Sequence, residues 1–307
     1  MCQENIYRQF NYNLQFAILK FNDILKSDFY SFTNLTMTIS LVYMVAWMSS
    51  RFGGRIKQFA KVWPNDSTLI EYSLSQALPA GFDQIVFIVG NMTEWPFKEM
   101  FGDEYKWVPV KYAKQTFDPE LRDRPWGTVD AVCSALDCID WPFVVCNGDD
   151  IYGKNSFKIL YDHLKNNPDE LCTLGYILWN VIPEAWSTNR WIFTVEDWYV
   201  KNINEMIWIE KNKLSDIWLT LDDLCSMNIF GLNKKTLESL NEILINFKNE
   251  HEWDRRIECY LPVELTNIIK NEWVKMRIYS TPDQRFWVTN PDDEAIVKKQ
   301  IEEYENF

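Results

Sequence analysis

The chain has 307 residues, and its 44 Asp and Glu against 31 Lys and Arg give a formal net charge of −13. This length suits one large α/β domain, and the acidic balance argues against nucleic acid or an anionic membrane as a partner, because phosphate-rich surfaces need a concentrated basic face. Seven cysteines without a C-x-x-C pair and only two histidines favour a reducing cytoplasm and argue against a zinc site or a histidine-based triad.

In chain order, the hydrophobic pattern predicts alternating strands and helices. The predicted strands are residues 39–46, 84–89, 108–112, 142–146 and 171–178, and the predicted helices are residues 67–79, 94–102, 127–138 and 154–166. A hairpin centred on Asp197-Trp198 and helices at residues 234–249 and 261–271 follow. The alternation predicts a mostly parallel sheet covered on both faces, which binds ligands outside the carboxyl ends of its strands. The longest apolar stretch, residues 37–48, is too short to span a bilayer.

Tryptophan stands where glycine is expected. The chain has 15 Trp and 10 Gly, whereas about 7% Gly, or roughly 21 residues, is usual for this length. Trp198 occupies a two-residue hairpin turn that needs positive φ. Trp47 follows a buried strand and precedes Ser49, Ser50, Arg51 and paired glycines, a pattern typical of a turn whose bare backbone N–H groups hold phosphate. Its indole would fill that space.

The chain resembles a known family through motifs that keep their order along the sequence. They are residues 44–73 (with Gly imagined at Trp47 and Trp63), 80–83, 124–128, 144–153, 226–231, 260–262 and 286–289. With these motifs, residues 38–300 are similar to bacterial sugar-1-phosphate nucleotidyltransferases of the UTP-glucose-1-phosphate uridylyltransferase type. The resemblance begins only after Thr36. We therefore expect residues 1–36 to be a dispensable N-terminal extension and residues 37–307 to form the nucleotidyltransferase domain.

Seven tryptophans fall on positions that are usually glycine in this family, whereas Trp126 is a usual Trp. The seven are Trp47, Trp63, Trp141, Trp186, Trp191, Trp198 and Trp287. We hypothesise that the gene uses UGA for glycine and that the sequence has been translated with UGA read as tryptophan. The alternative is a genuine Trp-rich protein with large aromatic side chains in its core.

The resemblance implies a Rossmann-like three-layer α/β/α sandwich of the nucleotide-diphospho-sugar transferase type. It also implies attack by a sugar 1-phosphate on the α-phosphorus of a nucleoside triphosphate, with pyrophosphate leaving. Arg51 and Lys57 are the expected catalytic cations: Arg51 would grip the β- and γ-phosphates, and Lys57 would lie nearer the α-phosphate. The alternative is that both are solvated surface cations.

The resemblance also assigns the remaining candidate site residues. Asp149 and Asp150 end the apolar strand and are the expected Mg²⁺ ligands, although this segment could be a simple turn. Gly127 and Thr128 would face the base, although Gly127 could merely start a helix. The full nucleotide-binding set is Ala46, Trp47, Ser49, Ser50, Gly53, Gly127 and Thr128, and the sugar-side set is Gly175, Glu205 and Asn228.

Two departures from the family pattern affect the phosphate and metal contacts. Met206 stands where many relatives have Lys after the equivalent of Glu205, and Lys211 could serve instead. Val288 lies near the place expected for a second metal carboxylate, and Asp283 and Asp292 are substitutes without an assigned position.

Three functions remain open. The leading one is nucleotidyl transfer to a hexose 1-phosphate, with UTP preferred to dTTP. The others are a metal-dependent glycosyltransferase of similar architecture, and a non-catalytic binding protein if the tryptophans are genuine. A dinucleotide oxidoreductase is disfavoured, because even Gly at position 47 gives no G-x-G-x-x-G motif. The sequence leaves the base, the sugar and the oligomeric state open, and a homo-oligomer is compatible with it.

Overall fold

A computed structural model describes residues 37–47, 52–62, 66–183, 187–271, 274–281, 283, 286–287 and 293–305. The part of the chain from Thr38 onwards forms one compact unit. The extension expected at residues 1–36 lies outside the described residues. In the described part, no helix is long and apolar enough to cross a membrane.

The structure contains thirteen described strands and seven α-helices. The strands are β1 (Ser40–Met44), β2 (Gln84–Val89), β3 (Glu104–Tyr105), β4 (Val108–Lys114), β5 (Phe143–Asn147), β6 (Asp150–Ile151), β7 (Leu171–Ile177), β8 (Thr188–Glu196), β9 (Tyr199–Ile209), β10 (Leu224–Ser226), β11 (Phe230–Leu232), β12 (Met276–Ser280) and β13 (Phe286–Trp287). The helices are α1 (Leu69–Ala77), α2 (Glu94–Phe101), α3 (Thr128–Cys133), α4 (Lys154–Asn166), α5 (Lys234–Glu250), α6 (Leu261–Asn271) and α7 (Asp293–Glu305).

Eleven of these strands form one sheet, in the order β10-β8-β9-β12-β7-β11-β5-β1-β2-β4-β3. Strands β4, β2, β1 and β5 pair in parallel. Strand β11 is antiparallel to both β5 and β7, so β7 runs in the direction of β5, and β12 pairs with β7 in parallel. The carboxyl ends of these six strands therefore lie along the same edge of the sheet, as predicted for a mostly parallel α/β fold.

One face of the sheet packs against α1, α2 and α4. Tyr43 of β1 is fully buried, and its hydroxyl lies 2.8 Å from the Ser73 hydroxyl of α1. Its ring lies 6.5 Å from that of Phe157 in α4, and Phe87 of β2 lies 5.0 Å from Phe97 in α2. Side chains alternate across a strand, so the neighbours of these residues point to the opposite face.

The opposite face packs against α3, α5 and α6. Val42 of β1 and Val145 of β5 share a buried cluster with Val129 of α3, Leu240 of α5 and Leu265 of α6. Helices thus cover both faces of the sheet, which confirms the predicted three-layer α/β/α fold. The strands are nearly continuous apolar runs because both of their faces are buried.

Helix α3 is shorter than its prediction. The sequence predicts one helix over residues 127–138, but α3 ends at Cys133 and a separate 3-10 turn spans Leu136–Cys138. The Ser134 hydroxyl donates to the Ala131 carbonyl over 2.6 Å. Serine side chains that bond nearby carbonyls compete with the helical pattern, which accounts for the break.

A short C-terminal strand closes over the residues that follow β5. Strand β13 pairs antiparallel with β6, with Phe286 opposite Ile151 and Trp287 opposite Asp150. Nearby, the Asp283 carboxylate accepts from the Ser156 backbone N–H over 2.7 Å, in the first turn of α4. Gly153 precedes this helix at φ 90°, and a Cβ there would overlap Asp283.

Candidate active site

A cleft of about 410 Å³ lies at the carboxyl ends of β1, β4 and β5. Ligands of open α/β sheets bind at this edge, where loops rather than regular backbone fill the space. The lining residues are Met44, Ala46, Trp47, Lys57, Gln58, Gln115, Arg124, Pro125, Gly127, Thr128, Ala131, Asn147, Asp149, Glu258 and Tyr260.

Lys57 and Asp149 form an ion pair in this cleft. The Lys57 ammonium donates to Asp149 Oδ2 over 2.8 Å, with the two side chains 13% and 33% exposed. Gly148 lets the chain after β5 lie close to the end of β1, because a Cβ at this position would overlap the Val45 side chain. The Gly148 N–H donates to the Met44 carbonyl over 3.1 Å. The cation and the carboxylate are therefore positioned by the ends of two adjacent parallel strands.

Asp150 is held away from solvent next to the cleft. It is 5% exposed, and its Oδ2 accepts from the Asn147 side-chain amide over 3.0 Å. The Tyr152 hydroxyl lies 3.4 Å from the same oxygen and 2.8 Å from the Met227 carbonyl. Asp150 is thus surrounded by hydrogen-bond donors and does not line the cleft.

Gly127 starts α3 and also lines the cleft. Its φ is 98°, and a Cβ would lie 2.5 Å from the Cys259 carbonyl oxygen. The Gln115 side-chain amide donates to the Gly127 carbonyl over 3.2 Å and to Asp130 Oδ2 over 2.8 Å. Lys248 from α5 pairs with the other oxygen of Asp130. This network fixes the Gly127-Thr128 turn against the sheet.

Another wall of the cleft is formed by the segment before α6. Arg124 lies 3.2 Å from Glu258, and the Tyr260 hydroxyl donates to the same Glu258 oxygen over 2.8 Å. Burial, followed by the hydrogen bond to Glu258, raises the pKa of Tyr260 to about 12. The phenol therefore stays protonated and remains a hydrogen-bond donor at neutral pH.

The structure brings together six of the predicted site residues. Ala46, Trp47, Lys57, Gly127, Thr128 and Asp149 all line the cleft. Arg51, Ser49 and Ser50 lie outside the described residues, as do Asp292 and Val288.

The remaining predicted residues lie outside the cleft lining. Gly53 follows Phe52 in a turn at φ 61°, and Gly175 lies in β7, where a Cβ would meet Ile278 and Leu224. Asn228 has φ 55°. Glu205 pairs across the hairpin with Trp191, whose ring lies 5.9 Å from Tyr260. The substitute cation Lys211 lies 3.3 Å over the Trp179 ring.

Sequence reasoning missed several lining residues. Gln115 and Asn147 directly follow or end strands whose position was predicted, so the rule that ligands bind at carboxyl ends could have found them. Gln58 follows Lys57 and is 4% exposed, and its Oε1 has no hydrogen-bond partner among the described residues. Arg124, Pro125 and Tyr260 fall in motifs that supported only the resemblance, and Glu258 lies just before one of them.

Two carboxylates line the cleft, and Glu258 is bonded to Arg124 and Tyr260, so Asp149 is the better candidate ligand for a magnesium ion. Among the described residues no group of three or more His, Cys, Asp or Glu could hold a metal by itself. Mg²⁺ is commonly bound by one or two carboxylates together with substrate phosphates, so the partly exposed Asp149 fits such a site.

Known proteins share this fold and part of this sequence. Residues 55–180 match the family model described as "Nucleotidyl transferase". The bifunctional protein GlmU of Staphylococcus carnosus (strain TM300) is 26% identical over 224 residues, which cover 71% of this chain and 42% of GlmU. The chain thus spans less than half the length of that relative.

Two solved structures share the fold at low sequence identity. HddC from Yersinia pseudotuberculosis, complexed with GMP-PN, has a TM-score of 0.56 and 12% identity, and the match covers 86% of this chain and all of HddC. UDP-glucose pyrophosphorylase from Acinetobacter baumannii has a TM-score of 0.58 and 15% identity. This match covers 86% of this chain and 93% of the pyrophosphorylase chain. The match of residues 55–180 to the nucleotidyl transferase model agrees with the resemblance predicted from the sequence, and the two solved structures share the fold.

Proposed function

We propose that this protein transfers a nucleoside monophosphate from a nucleoside triphosphate to a sugar 1-phosphate. The products are a nucleoside diphosphate sugar and pyrophosphate, and UTP is the preferred donor. The observation that supports the proposal best is the Lys57–Asp149 pair at 2.8 Å in a cleft at the carboxyl edge of the sheet. A cation and a carboxylate at one point of a cleft suit a bound phosphate and its metal ion.

The reaction needs positioning and charge neutralisation more than covalent catalysis. An oxygen of the sugar phosphate forms a bond to the α-phosphorus, and the bond from that phosphorus to the pyrophosphate oxygen breaks. Lys57 would neutralise charge on the α-phosphate, and Arg51 keeps its proposed role at the β- and γ-phosphates. The attacking oxygen belongs to the ionised phosphate of the sugar 1-phosphate, so no proton acceptor is required for the attack.

Asp149 is the proposed magnesium ligand. The metal would supply neutralisation of the triphosphate charge when bound. Asp150 would act by positioning Asn147, which lines the cleft. The Asp150 carboxylate accepts a hydrogen bond from the Asn147 side-chain amide over 3.0 Å. The base would lie against Gly127 and Thr128, and the sugar would lie towards Glu205. Glu205 pairs across the hairpin with Trp191, and the Trp191 ring is close to Tyr260 of the cleft.

The proposed compartment is the cytoplasm, where nucleoside triphosphates are available. The six cysteines in the described part of the chain are free thiols, as expected in a reducing environment.

Pyrophosphate release tests the proposed function. The protein is incubated with Mg²⁺, UTP and glucose 1-phosphate, and pyrophosphate is measured together with the nucleotide sugar. Equal amounts of both products support the proposal. Transfer of sugar from UDP-glucose without pyrophosphate would instead identify the glycosyltransferase alternative. Nucleotide binding with neither activity, measured for the chain with Gly at position 47, would identify a non-catalytic binding protein.

A further inference from the structure

Four tryptophans occupy backbone conformations that favour glycine. Among the described non-glycine residues, eight have positive φ, and half of them are Trp: Trp107 (φ 69°), Trp198 (φ 64°), Trp208 (φ 58°) and Trp218 (φ 59°). The other four are two Asp, one Asn and one Lys. Asp and Asn tolerate this region, whereas a bulky side chain there is an outlier. Three of these tryptophans do not belong to the seven that the family pattern marks.

Two of the four residues sit at the second position of tight hairpin turns. Trp107 follows Lys106 (φ 50°) between β3 and β4, where Tyr105 pairs with Val108. Trp198 follows Asp197 (φ 52°) between β8 and β9. Positive φ at both central residues defines the type I′ turn, which prefers glycine at its second position.

The other two tryptophans, Trp208 and Trp218, lie in a strand and at a helix end, and both have positive φ. Trp208 lies in β9 beside a register shift between Thr188 and Arg190, and its N–H donates to the Asn189 side chain over 3.1 Å. A bulge residue in the left-handed region is usually glycine. Trp218 ends the 3-10 helix Leu214–Ile217 with φ 59° and ψ 27°, the position at which helices most often place glycine.

The indoles gain little by packing. Trp107 is 89% exposed, Trp198 53%, Trp208 73% and Trp218 94%. Burial therefore cannot offset the backbone strain at these sites. Trp126 differs in every respect, because it lacks positive φ, the Arg122 guanidinium lies 3.3 Å over its ring, and Phe247 packs edge-on at 6.2 Å.

We propose that residues 107, 198, 208 and 218 are glycines in the protein that the organism itself makes. The four sites are two hairpin turns, a strand position beside a register shift and the end of a 3-10 helix, so one cause that substitutes Trp for Gly throughout the chain explains them together. A codon that is read as glycine in the cell and written here as tryptophan is such a cause. Positions 107, 208 and 218 are not among the seven that the family pattern marks, and their backbone conformation alone points to glycine.

Peptide masses from the natural protein test the proposal directly. Trypsin releases residues 107–111 and 202–211, each with one tryptophan position, as well as the longer peptides that carry positions 198 and 218. We expect glycine at all four positions and tryptophan at position 126. Tryptophan at these four positions would overturn the proposal. In the gene, UGG codons at the four positions would overturn it as well.

Thermal unfolding gives an independent test that does not depend on activity. Relative to the sequence as written, Trp→Gly at the four sites together should raise Tm on the order of 10 °C, at roughly 2–4 °C per site. The matched Trp→Ala set should give a much smaller gain, because alanine keeps the Cβ that makes positive φ costly. Trp126→Gly should lower Tm.

The outcomes of this second test are distinguishable. Equal gains for the Ala and Gly sets would show that loss of exposed indoles, rather than the backbone, is responsible, and would contradict the proposal. No gain from the Gly set would contradict it as well. Neither outcome bears on pyrophosphate release, so the proposal and the proposed function can fail separately.

Discussion

Lys57 and Asp149 lie 92 residues apart in the chain, yet their side chains meet at 2.8 Å in the cleft. The contact exists because β1 and β5 are adjacent parallel strands that end at the same edge. Lys57 comes after β1 in the chain, and Asp149 follows β5 with only Gly148 between them. The sheet topology therefore creates the pair, and removal of either side chain should affect the chemistry more than the fold.

Lys57→Ala should lower kcat for pyrophosphate release by about 10²–10³-fold, the usual cost of losing one preorganised charge-stabilising group. The control is Lys158→Ala, which removes an exposed lysine paired with Asp162 within α4. Steady-state kinetics of both variants provide the measurement. A Lys57→Ala enzyme with a near-normal kcat would refute the catalytic role.

Asp149→Asn should raise the Mg²⁺ concentration needed for half-maximal activity by at least about tenfold, since even outer-shell losses cost 10–100-fold in metal affinity. Asp150→Asn is the contrast: the Asp150 side chain is buried and bonded to Asn147 and Tyr152. We expect that variant to lose unfolding free energy with a smaller change in metal requirement. Magnesium titrations with urea unfolding separate the two effects, and identical titrations for both variants would count against Asp149.

Gln115→Ala should raise KM for the nucleotide and lower the free energy of unfolding by about 1–3 kcal/mol, because it leaves Asp130 and the Gly127 carbonyl short of a donor. Gln84→Ala is matched to it. The Gln84 amide also donates twice, to Ser40 and to the Cys138 carbonyl, but at the opposite edge of the sheet. It should lose similar stability without a change in KM. If both variants shifted KM alike, the effect would be global.

Trp47→Gly should lower KM for the triphosphate by about 10- to 150-fold, since an opened backbone N–H gains one hydrogen bond to a charged group, worth about 1.5–3 kcal/mol. Trp47 lines the cleft and is 61% exposed. Trp253→Gly removes an indole that is 79% exposed and does not line the cleft, so its kinetics should stay unchanged. A weaker nucleotide interaction in Trp47→Gly would mean that the indole itself contacts the ligand.

Stability should fall on the acid side through His163. The pKa of this histidine is lowered, mainly because the side chain is buried. Glu170 opposes this shift, and the nearby Arg277 adds to it. Its Nδ1 lies 2.9 Å from the Tyr279 hydroxyl. Below the unfolded value of about 6.5, the unfolded chain binds the proton first, so the free energy of unfolding decreases as the pH drops through this window.

The measurement is urea unfolding at a series of pH values around 6. His163→Gln should flatten the decrease, whereas His251→Gln, at the other histidine of the chain, should leave it in place. An unchanged slope in His163→Gln would assign the acid sensitivity to other groups.

Much of the fold could be predicted, because both faces of the central strands are buried and their apolar runs are plain in the sequence. Lys57 and Asp149 come after the predicted strands 39–46 and 142–146, and the corresponding strands β1 and β5 end at one edge of the sheet. Asp150 shows the limit of this reasoning. Adjacent residues after a strand point to different sides, and the sequence does not say which carboxylate faces the solvent.

The wall formed by Glu258 and Tyr260 could not be predicted from local pattern. The buried Arg122 guanidinium fixes that segment by donating to the carbonyls of Asp254 and Ile257, 132 and 135 residues away. An arginine in a polar stretch gives no sign of such partners. Contacts of this kind depend on tertiary packing, which periodicity does not encode.

Strand β13 has a consequence for how the protein folds as it is made. Because Trp287 pairs with Asp150 and Asp283 accepts from the Ser156 N–H, 127 residues away at the start of α4, the turn that carries Asp149 is completed by residues that leave the ribosome long after it. Residues 55–180, which match the family model, therefore do not contain all the residues that hold this turn in place. A chain that ends before residue 283 would hold the large sheet without the strand that pairs with this turn, so we expect it to lack the proposed pyrophosphate release.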